Sequence, residues 1–365
     1  MKISYKWLKD LLTFEMSPEE TGVYLTNCGL EVEGMENYES VKGGLRGLVI
    51  GEVLTCEPHP NSDHLHLTTV DVGGEAPLQI VCGAANVAAG QKVVVATIGT
   101  TLYQGDETMT IKKSKLRGEL SEGMICAEDE IGIGTSHDGI MVLDELAVPG
   151  TPASEYFKID TDTIFEIGLT PNRCDAISHV GVARDLYAAL IQDGQSCSPL
   201  ILPNAAEVKP IANVKFRVDI VVENKKDCPR YTGLVFDKVN VAESPAWLQT
   251  KLKSVGIRPI NNVVDITQFI MLELGQPMHA FDADKIKGNQ VIVKNLPEGT
   301  PFVTLDGNEL KLSADDLMIC NAEEGMCIAG VYGGLQSGIT ENTTRVFLES
   351  AYFNPVSIRK KIGRA

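Results

Sequence analysis

Long apolar runs are missing from this sequence of 365 residues. No stretch of 18 or more apolar residues occurs, which argues against a membrane-spanning helix. The first ten residues, MKISYKWLKD, also lack the apolar segment and the small-residue cleavage site of a secretory signal. We therefore expect a cytoplasmic protein.

Closely spaced cysteines are missing as well. The nine cysteines are an odd number, and no two of them have the CxxC spacing of zinc and redox motifs. A disulfide framework or a structural zinc site is therefore not expected, and reduced thiols fit a cytoplasmic chain. The sequence also lacks a GxxxxGK[ST] phosphate loop, a GxSxG nucleophile elbow and a complete dinucleotide fingerprint, so we expect no bound ATP or other cofactor within this chain.

Basic residues are scarce relative to acidic ones. Lys and Arg number 32 against 49 Asp and Glu, for a formal net charge of −17. A chain this acidic repels nucleic acid at long range. Any RNA contact would therefore have to come from a local basic patch or from a partner subunit.

The predicted type of secondary structure changes twice in the first half of the sequence. Residues 1–40 are expected to be helical, because Ser17, Pro18 and Glu20 form a helix-start signal with a capping box. Residues 41–150 contain short β-type runs between turn residues, which is typical of a small barrel or sandwich. Helical texture then returns, with a helix predicted from Asp175 to Leu190 and a linker over residues 194–210.

A second globular unit is predicted over residues 210–365, which makes the predicted fold class α+β and multidomain. Helix signals are clear here: Ser244 before a helix that Gly256 closes, then Asn261 or Asn262 before a helix that ends at Gly275. Strand-like runs surround these helices at residues 291–293, 317–320 and 346–348. A last helix start at Asn354-Pro355 leaves room for a marginal helix only, so we expect the N-terminal part of a longer protein.

Three histidines and an aspartate lie within eight residues, from His59 to His66. Such a cluster can bind a metal ion. No second group of ligand-type residues with metal-site spacing lies nearby, and Pro60-Asn61 has the character of a turn. A loop on the rim of a barrel is therefore the preferred interpretation.

Four motifs that follow one another in order characterise the β-rich segment: GEVLTCEPHPNSD at 51–63, IVCGAAN at 80–86, IKKSKLRG at 111–118 and SEGMICA at 121–127. They resemble the tRNA-binding OB-fold family, with His64 where members often carry Lys or Arg. The resemblance implies an OB barrel over residues 41–150.

Residues 41–150 hold seven Lys or Arg and fifteen Asp or Glu, so RNA contacts are predicted at a single basic stretch, which consists of Lys112, Lys113, Lys115 and Arg117. A solvated basic hairpin with no RNA contact is the alternative.

The segments on either side of this barrel carry further motifs: MKISYKWL at 1–8, TPNRCD at 170–175 and SHVGVARD at 178–185. They resemble the beta-subunit family of bacterial phenylalanyl-tRNA synthetases. The resemblance implies that residues 1–40 and 151–200 form one split helical domain around the inserted barrel. It also implies an alpha-subunit partner in an alpha2-beta2 heterotetramer, tRNA(Phe) as the RNA, and ATP and Mg2+ in the holoenzyme. Aminoacylation would reside on the alpha subunit, with neither DNA nor a membrane as a partner.

The remaining motifs, IRPINNVVD at 257–265, LGQPMHAFD at 274–282, YGG at 332–334 and LESAYF at 348–353, are similar to the editing domain of the same family. The resemblance implies an α/β editing domain over residues 210–365, incomplete at its C-terminal end. Such a domain hydrolyses tyrosine wrongly esterified to tRNA(Phe). Carried over position by position, the residues of the editing pocket are Arg258, His279, Gly333 and Glu349, with Gly334 as a further substrate-binding residue.

Each implied role has a chemical reason. Glu349 is suited to accept a hydrogen bond from the tyrosine hydroxyl, and His279 to orient a water molecule or the terminal adenosine. Arg258 could hold the adenosine or a phosphate. Taken alone, His279 would sooner be expected to cap the turn after a helix than to act in a site, and Asp265 is expected to be a satisfied structural carboxylate. A non-catalytic RNA-binding and subunit-assembly scaffold with an incomplete editing pocket is the second hypothesis.

Overall fold

The computed structural model describes residues 1–105, 107–203 and 216–362. Within these ranges the helices are α1 (Tyr5–Leu11), α2 (Pro18–Asn27), α3 (Ala153–Tyr156), α4 (His179–Gln192), α5 (Ala246–Ser254), α6 (Asn262–Leu274) and α7 (Pro355–Ile362). The strands are β1 (Lys2–Ser4), β2 (Glu31–Glu39), β3 (Leu48–Pro58), β4 (His66–Asp71), β5 (Leu78–Cys82), β6 (Lys92–Thr97), β7 (Thr101–Gln104), β8 (Glu107–Thr110), β9 (Ser114–Leu116), β10 (Glu119–Ser121), β11 (Gly123–Ile125), β12 (Thr161–Gly168), β13 (Asp219–Val222), β14 (Arg230–Asp237), β15 (Met278–Asp282), β16 (Gln290–Asn295), β17 (Pro301–Val303), β18 (Glu309–Lys311), β19 (Leu317–Cys320), β20 (Gly325–Ile328), β21 (Tyr332–Gly333) and β22 (Arg345–Tyr352). None of the helices in these ranges has both the length and the apolar character needed to cross a bilayer.

The chain divides into two compact units. One unit, here called the interrupted unit, consists of Met1–Glu36 and Thr163–Ala365, and the other, the inserted unit, consists of Asn37–Asp162. The finer division of the sequence at residues 40, 150, 200 and 210 stays a prediction. Part of the predicted linker, residues 204–210, lies outside the described residues.

A five-stranded antiparallel sheet with the strand order β11-β6-β3-β4-β5 is the main element of the inserted unit, which also contains the two-stranded sheets β7-β8 and β9-β10. The sheet curls until its edge strands β11 and β5 approach one another: the N–H of Glu122, the residue immediately before β11, donates to the Gln79 carbonyl on β5 over 2.8 Å. Alternate positions along the strands point inward and are fully buried, among them Val53, Val70, Ile80, Val93 and Val95. The near-barrel sheet agrees with the predicted small barrel, and the whole chain is mixed α and β as expected.

Helices α1, α2 and α4 of the interrupted unit share one apolar core with the sheet β1-β12-β2. The capping box at Ser17 and Glu20 is present, and Gly29 follows α2 in the left-handed conformation with φ 90°. The expectation that residues 1–40 are helical is wrong for residues 2–4, which form β1, and for residues 31–39, which form β2. Side chains in the first part of β2 alternate between exposed and half-buried, and pairing with β12 stabilises that extended form.

Two further sheets of three or more strands lie in the C-terminal part of the interrupted unit, beside helices α5, α6 and α7 and the two-stranded sheet β17-β18. One has the order β13-β16-β19-β20-β21, and the other has the order β14-β22-β15. Both contribute to one buried core that includes Phe281, Val291, Val293, Leu317 and Phe347. The predicted strand-like runs therefore lie in β16, β19 and β22.

Helix boundaries follow the local hydrogen bonds. As predicted, Asn261 accepts from the N–H groups of Val263 and Val264 at the start of α6, and Gly275 ends this helix with φ 77°. Helix α4 begins at His179 rather than at Asp175, because the Ser178 hydroxyl accepts the Gly181 N–H. The predicted cap at Ser244 is wrong in detail: Pro245 precedes α5, and the Ser244 hydroxyl donates to Asp265 over 2.5 Å instead.

Candidate functional site

Strand pairing brings two of the predicted residues together in the interrupted unit. Glu349 lies on β22, the central strand of its sheet, and His279 is directly opposite on β15. Gly233 is the opposite residue on the other neighbouring strand, β14. Side chains directly opposite one another on antiparallel strands share a face and have Cβ atoms about 4.5–5.5 Å apart. His279 and Glu349 are therefore neighbours, although 70 residues separate them in the sequence.

The carboxylate of Glu349 is buried and only half satisfied. The residue is 5% exposed, and the Tyr231 hydroxyl donates to its Oε2 over 2.9 Å. No described residue donates to Oε1, and this atom is not fully buried. Oε1 thus retains access to solvent and can accept a hydrogen bond from a ligand.

Burial controls the ionisation of both partners of this hydrogen bond. It raises the pKa of Glu349 from 4.5 to about 7, and the hydrogen bond from Tyr231 opposes that rise. Burial and the charge of Glu349 also raise the pKa of Tyr231 well above its ordinary value, so the phenol remains a donor at neutral pH.

His279 lies within β15, and its ring is in contact with Gly333. A Cβ atom added to Gly333 would lie 3.0 Å from Cε1 of the ring, so a side chain there would press on the imidazole. Burial lowers the pKa of His279 to about 4, which leaves the ring neutral at pH 7. The turn after α6 is closed by Gly275, whose N–H donates to the Met271 carbonyl, rather than by His279.

Gly334 is fixed by close packing. Its N–H donates to the Met326 carbonyl over 2.8 Å, and an added Cβ atom would lie 2.6 Å from that oxygen. The residue borders a cleft that is also lined by Phe302 and Ser337, whereas neither His279 nor Glu349 lines this cleft.

Arg258 is exposed on the loop between α5 and α6. None of the contacts recorded for the described residues joins it to the other predicted pocket residues, and its place in the pocket stays a prediction. The loop itself is anchored by Asp265, which is 1% exposed and accepts the Ile260 N–H at 2.8 Å and the Ser244 hydroxyl. Asp265 is thus the satisfied carboxylate that its apolar surroundings in the sequence suggested.

Tyr231 is the residue that the sequence motifs missed. It contacts Glu349 across 118 positions of sequence and belongs to none of the motifs. The one available signal was indirect, since a buried carboxylate requires a hydrogen-bond donor.

The basic stretch of the inserted unit forms a hairpin of β9 and β10. Arg117 and Gly118 both have positive φ angles, 48° and 100°, as a tight two-residue turn between twisted strands requires. The loop that begins at His59 packs on this hairpin: the His59 ring donates from Nε2 to the Leu116 carbonyl over 3.1 Å, and Asn61 donates to the Arg117 carbonyl. His59 is therefore a buried anchor of the loop.

The basic side chains of the hairpin differ in their availability. All four, Lys112, Lys113, Lys115 and Arg117, are exposed, but Lys113 forms an ion pair with Glu122 at 2.7 Å. Contacts of the other three side chains with phosphate groups stay a prediction. In the part of the chain that the structure describes, no group of three or more His, Cys, Asp or Glu is arranged to hold a metal ion.

Comparison with protein families finds two matches. Residues 48–152 match a family described as putative tRNA binding domain, and residues 227–365 match the B3/4 domain. The first match covers the near-barrel sheet and the basic hairpin, and the second covers Tyr231, His279, Gly333 and Glu349.

Relatives match the chain along its whole length. The phenylalanine–tRNA ligase beta subunit of Bacteroides thetaiotaomicron is 62% identical over 364 residues, which are 100% of this chain and 44% of the relative. The proteins of the same name from Porphyromonas gingivalis and Bacillus subtilis are 57% and 44% identical, again over 44% of their length. The chain thus spans less than half the length of the curated relatives it matches. A solved structure, an N-terminal fragment of the phenylalanyl-tRNA synthetase beta subunit from Pyrococcus horikoshii, also matches. The match covers 54% of this chain and 58% of that fragment, with 18% identity and a TM-score of 0.31.

Proposed function

This chain is homologous over its whole length to the N-terminal part of phenylalanine–tRNA ligase beta subunits, and from that premise we propose that it hydrolyses tyrosine wrongly esterified to tRNA(Phe). The observation that carries the proposal is the buried carboxylate of Glu349, which has one oxygen bonded to Tyr231 and the other open. A tyrosine hydroxyl is a donor that fits the open oxygen. A phenylalanine side chain is not.

Selection for the hydroxyl follows from the energy of unmade hydrogen bonds. A site that binds phenylalanine discriminates poorly against tyrosine, because an added hydroxyl is hard to reject from an apolar pocket. A second site that requires the hydroxyl separates the two more strongly, since a bound phenylalanine would cover the Glu349 carboxylate without bonding to it. Leaving a buried acceptor unpaired costs about 1–3 kcal/mol, and more for a charged group.

The hydrolytic step requires little acid–base chemistry. The aminoacyl ester is already activated, so a water molecule held in position against the carbonyl supplies much of the rate. With a pKa of about 4, His279 is a weak base at pH 7, and its neutral ring is better suited to orient water through a hydrogen bond than to remove a proton. Gly333 leaves the space that this orientation of the ring requires.

The rest of the function is proposed from the family. Lys112, Lys115 and Arg117 would contact phosphates of tRNA(Phe), and the acidic surroundings would keep that contact weak and sensitive to salt. An alpha subunit would join the chain in an alpha2-beta2 heterotetramer and carry out aminoacylation with ATP and Mg2+. The cytoplasmic location also stays a prediction.

A scaffold for RNA binding and subunit assembly remains the alternative function. It is favoured by the acidic barrel and by the exposed position of Arg258, for which no contact with the other pocket residues is recorded. Under this alternative the Glu349 site is an incomplete remnant.

Deacylation of Tyr-tRNA(Phe) and Phe-tRNA(Phe) by the 365-residue chain separates the two functions. We expect selective hydrolysis of the tyrosyl ester, and its loss in the His279→Ala and Glu349→Ala variants. His137→Ala in the inserted unit and Glu309→Ala on β18 are matched controls, because both side chains are exposed. Hydrolysis that is absent from the chain, or unchanged in the two site variants, would contradict the proposal and support the scaffold.

A further inference from the structure

Tyr231 holds the Glu349 side chain from the adjacent strand. Tyr231 is paired with Ala351, two residues along β22 from Glu349, so the two side chains are diagonal neighbours on one face of the sheet. Diagonal neighbours are about 7–8 Å apart at the backbone, a distance that a long aromatic side chain can bridge. The residue directly opposite Glu349 is Gly233, which has no side chain to compete for the carboxylate.

We propose that Tyr231 is a positioning residue that gives the site its selectivity for tyrosine, by fixing Oε2 of Glu349 so that Oε1 is presented to the hydroxyl of the substrate. The inference rests on the proposed editing function and names the residue that sets its specificity. A carboxylate has two oxygens, and a phenol bound to one of them fixes the orientation of the other. Two phenols, one from the protein and one from the substrate, would then share a single carboxylate.

Other titratable groups near Glu349 do not replace Tyr231. The thiols of Cys228 and Cys327 stay neutral, because burial and, to a smaller extent, the nearby charge of Glu349 raise their pKa values. His279 faces Glu349 from β15 and is neutral as well, with a pKa of about 4. Tyr231 is the donor that the described residues provide, and its hydroxyl favours the charged form of Glu349 against the larger effect of burial.

Removal of this hydroxyl has two expected consequences. The Glu349 carboxyl loses the hydrogen bond that favours its charged form, so it binds a proton up to a higher pH. The protonated acid is no longer restricted to accepting hydrogen bonds, and its orientation is no longer fixed. The preference for tyrosyl over phenylalanyl esters should therefore fall in the Tyr231→Phe variant.

The test compares Tyr231→Phe with the matched variant Tyr352→Phe, whose ring is 59% exposed on β22. One measurement is the titration of the Glu349 carboxyl by carbon-13 NMR in the absence of substrate. The other is the ratio of kcat/KM for Tyr-tRNA(Phe) and Phe-tRNA(Phe) between about pH 6 and pH 9, the range that brackets the ionisation of this carboxyl.

For Tyr231→Phe we expect a Glu349 titration that is shifted upward, and selectivity lower by about tenfold near neutral pH, the effect of one hydrogen bond. Tyr352→Phe should leave both unchanged. Selective hydrolysis with the same titration and pH profile in Tyr231→Phe would overturn the role of Tyr231 alone. Absence of hydrolysis in the unaltered chain would overturn the proposed function and the selectivity role together.

Discussion

Replacement of Glu349 by glutamine should make the free protein more stable at alkaline pH and should abolish selective hydrolysis. Burial raises the pKa of Glu349 from 4.5 to about 7, so the folded protein resists ionisation of this carboxyl. Glutamine has nearly the same size, retains an oxygen that can accept from the Tyr231 hydroxyl, and carries no charge. The substitution therefore removes the electrostatic cost and preserves the packing.

The sign and size of the effect follow from proton linkage. Because the pKa is higher in the folded protein, the neutral acid stabilises the fold, fully below pH 4.5 and progressively less as the pH rises through about 7. The difference between the two pKa values corresponds to a loss of stability of about 3 kcal/mol at pH 8 relative to acidic pH. About 1 kcal/mol of this loss has already occurred near pH 5. Glu349→Gln should therefore gain about 2 kcal/mol relative to the unaltered protein between these two conditions.

Urea denaturation of both proteins at about pH 5 and pH 8 measures this difference, with the midpoint reporting stability at constant slope. Glu309→Gln is the matched control, since Glu309 is exposed on β18. His279 and His179 have lowered pKa values of about 4 and about 3. Protonation of these buried rings in acid destabilises the fold, and it does so equally in the unaltered protein and in Glu349→Gln. A difference in midpoint between Glu349→Gln and the unaltered protein that is the same at pH 5 and pH 8 would show that this carboxyl ionises as it does in water. The argument for discrimination through a desolvated acceptor would then fail.

Two further predictions concern the close contact at Gly333 and the basic hairpin. Gly333→Ala should reduce hydrolysis of Tyr-tRNA(Phe) by about tenfold or more without unfolding the protein, because the new Cβ atom would press on the His279 ring at 3.0 Å. Gly338→Ala is the control, since the Cβ atom added there meets only a flexible leucine side chain. Full activity in Gly333→Ala would refute this steric role. Replacement of Lys112 and Lys115 by alanine should weaken tRNA binding and reduce the slope of log affinity against log salt by about 1–2, as measured by filter binding at several salt concentrations. An unchanged slope would favour the solvated hairpin.

Local signals predicted the elements that depend on local hydrogen bonds. Helix α6 begins and ends where Asn261 and Gly275 indicate, since each residue satisfies backbone groups within its own turn. The same reasoning fails where a side chain bonds elsewhere. Ser244 has the sequence signature of a cap, yet its hydroxyl donates to Asp265, 21 residues away. Strand β2 was missed for a similar reason, because pairing with a strand more than 120 residues distant stabilises it.

The ordered motifs predicted more of the site than periodicity could. His279 and Glu349 are unremarkable individually, and the motifs that contain them lie on strands whose register places them opposite one another. Gly333 reaches the same ring from the other sheet. Tyr231 has no motif, so only the fold reveals its contact with Glu349. For Arg258 the motif remains the sole argument.

Comparison of two buried carboxylates supports a functional role for Glu349. Asp265 is 1% exposed, and the protein supplies a donor to each of its oxygens, the Ile260 N–H and the Ser244 hydroxyl. Glu349 is nearly as buried, yet the described residues supply one donor only, from Tyr231. A carboxylate that serves structure alone gains from a full set of partners, because each unmade bond in the interior costs about 1–3 kcal/mol. The open oxygen of Glu349 meets solvent in the free protein, so it is available to a bound hydroxyl donor such as the phenol of a tyrosyl ester. A ligand that covered this oxygen without donating to it would incur the cost of the unmade bond.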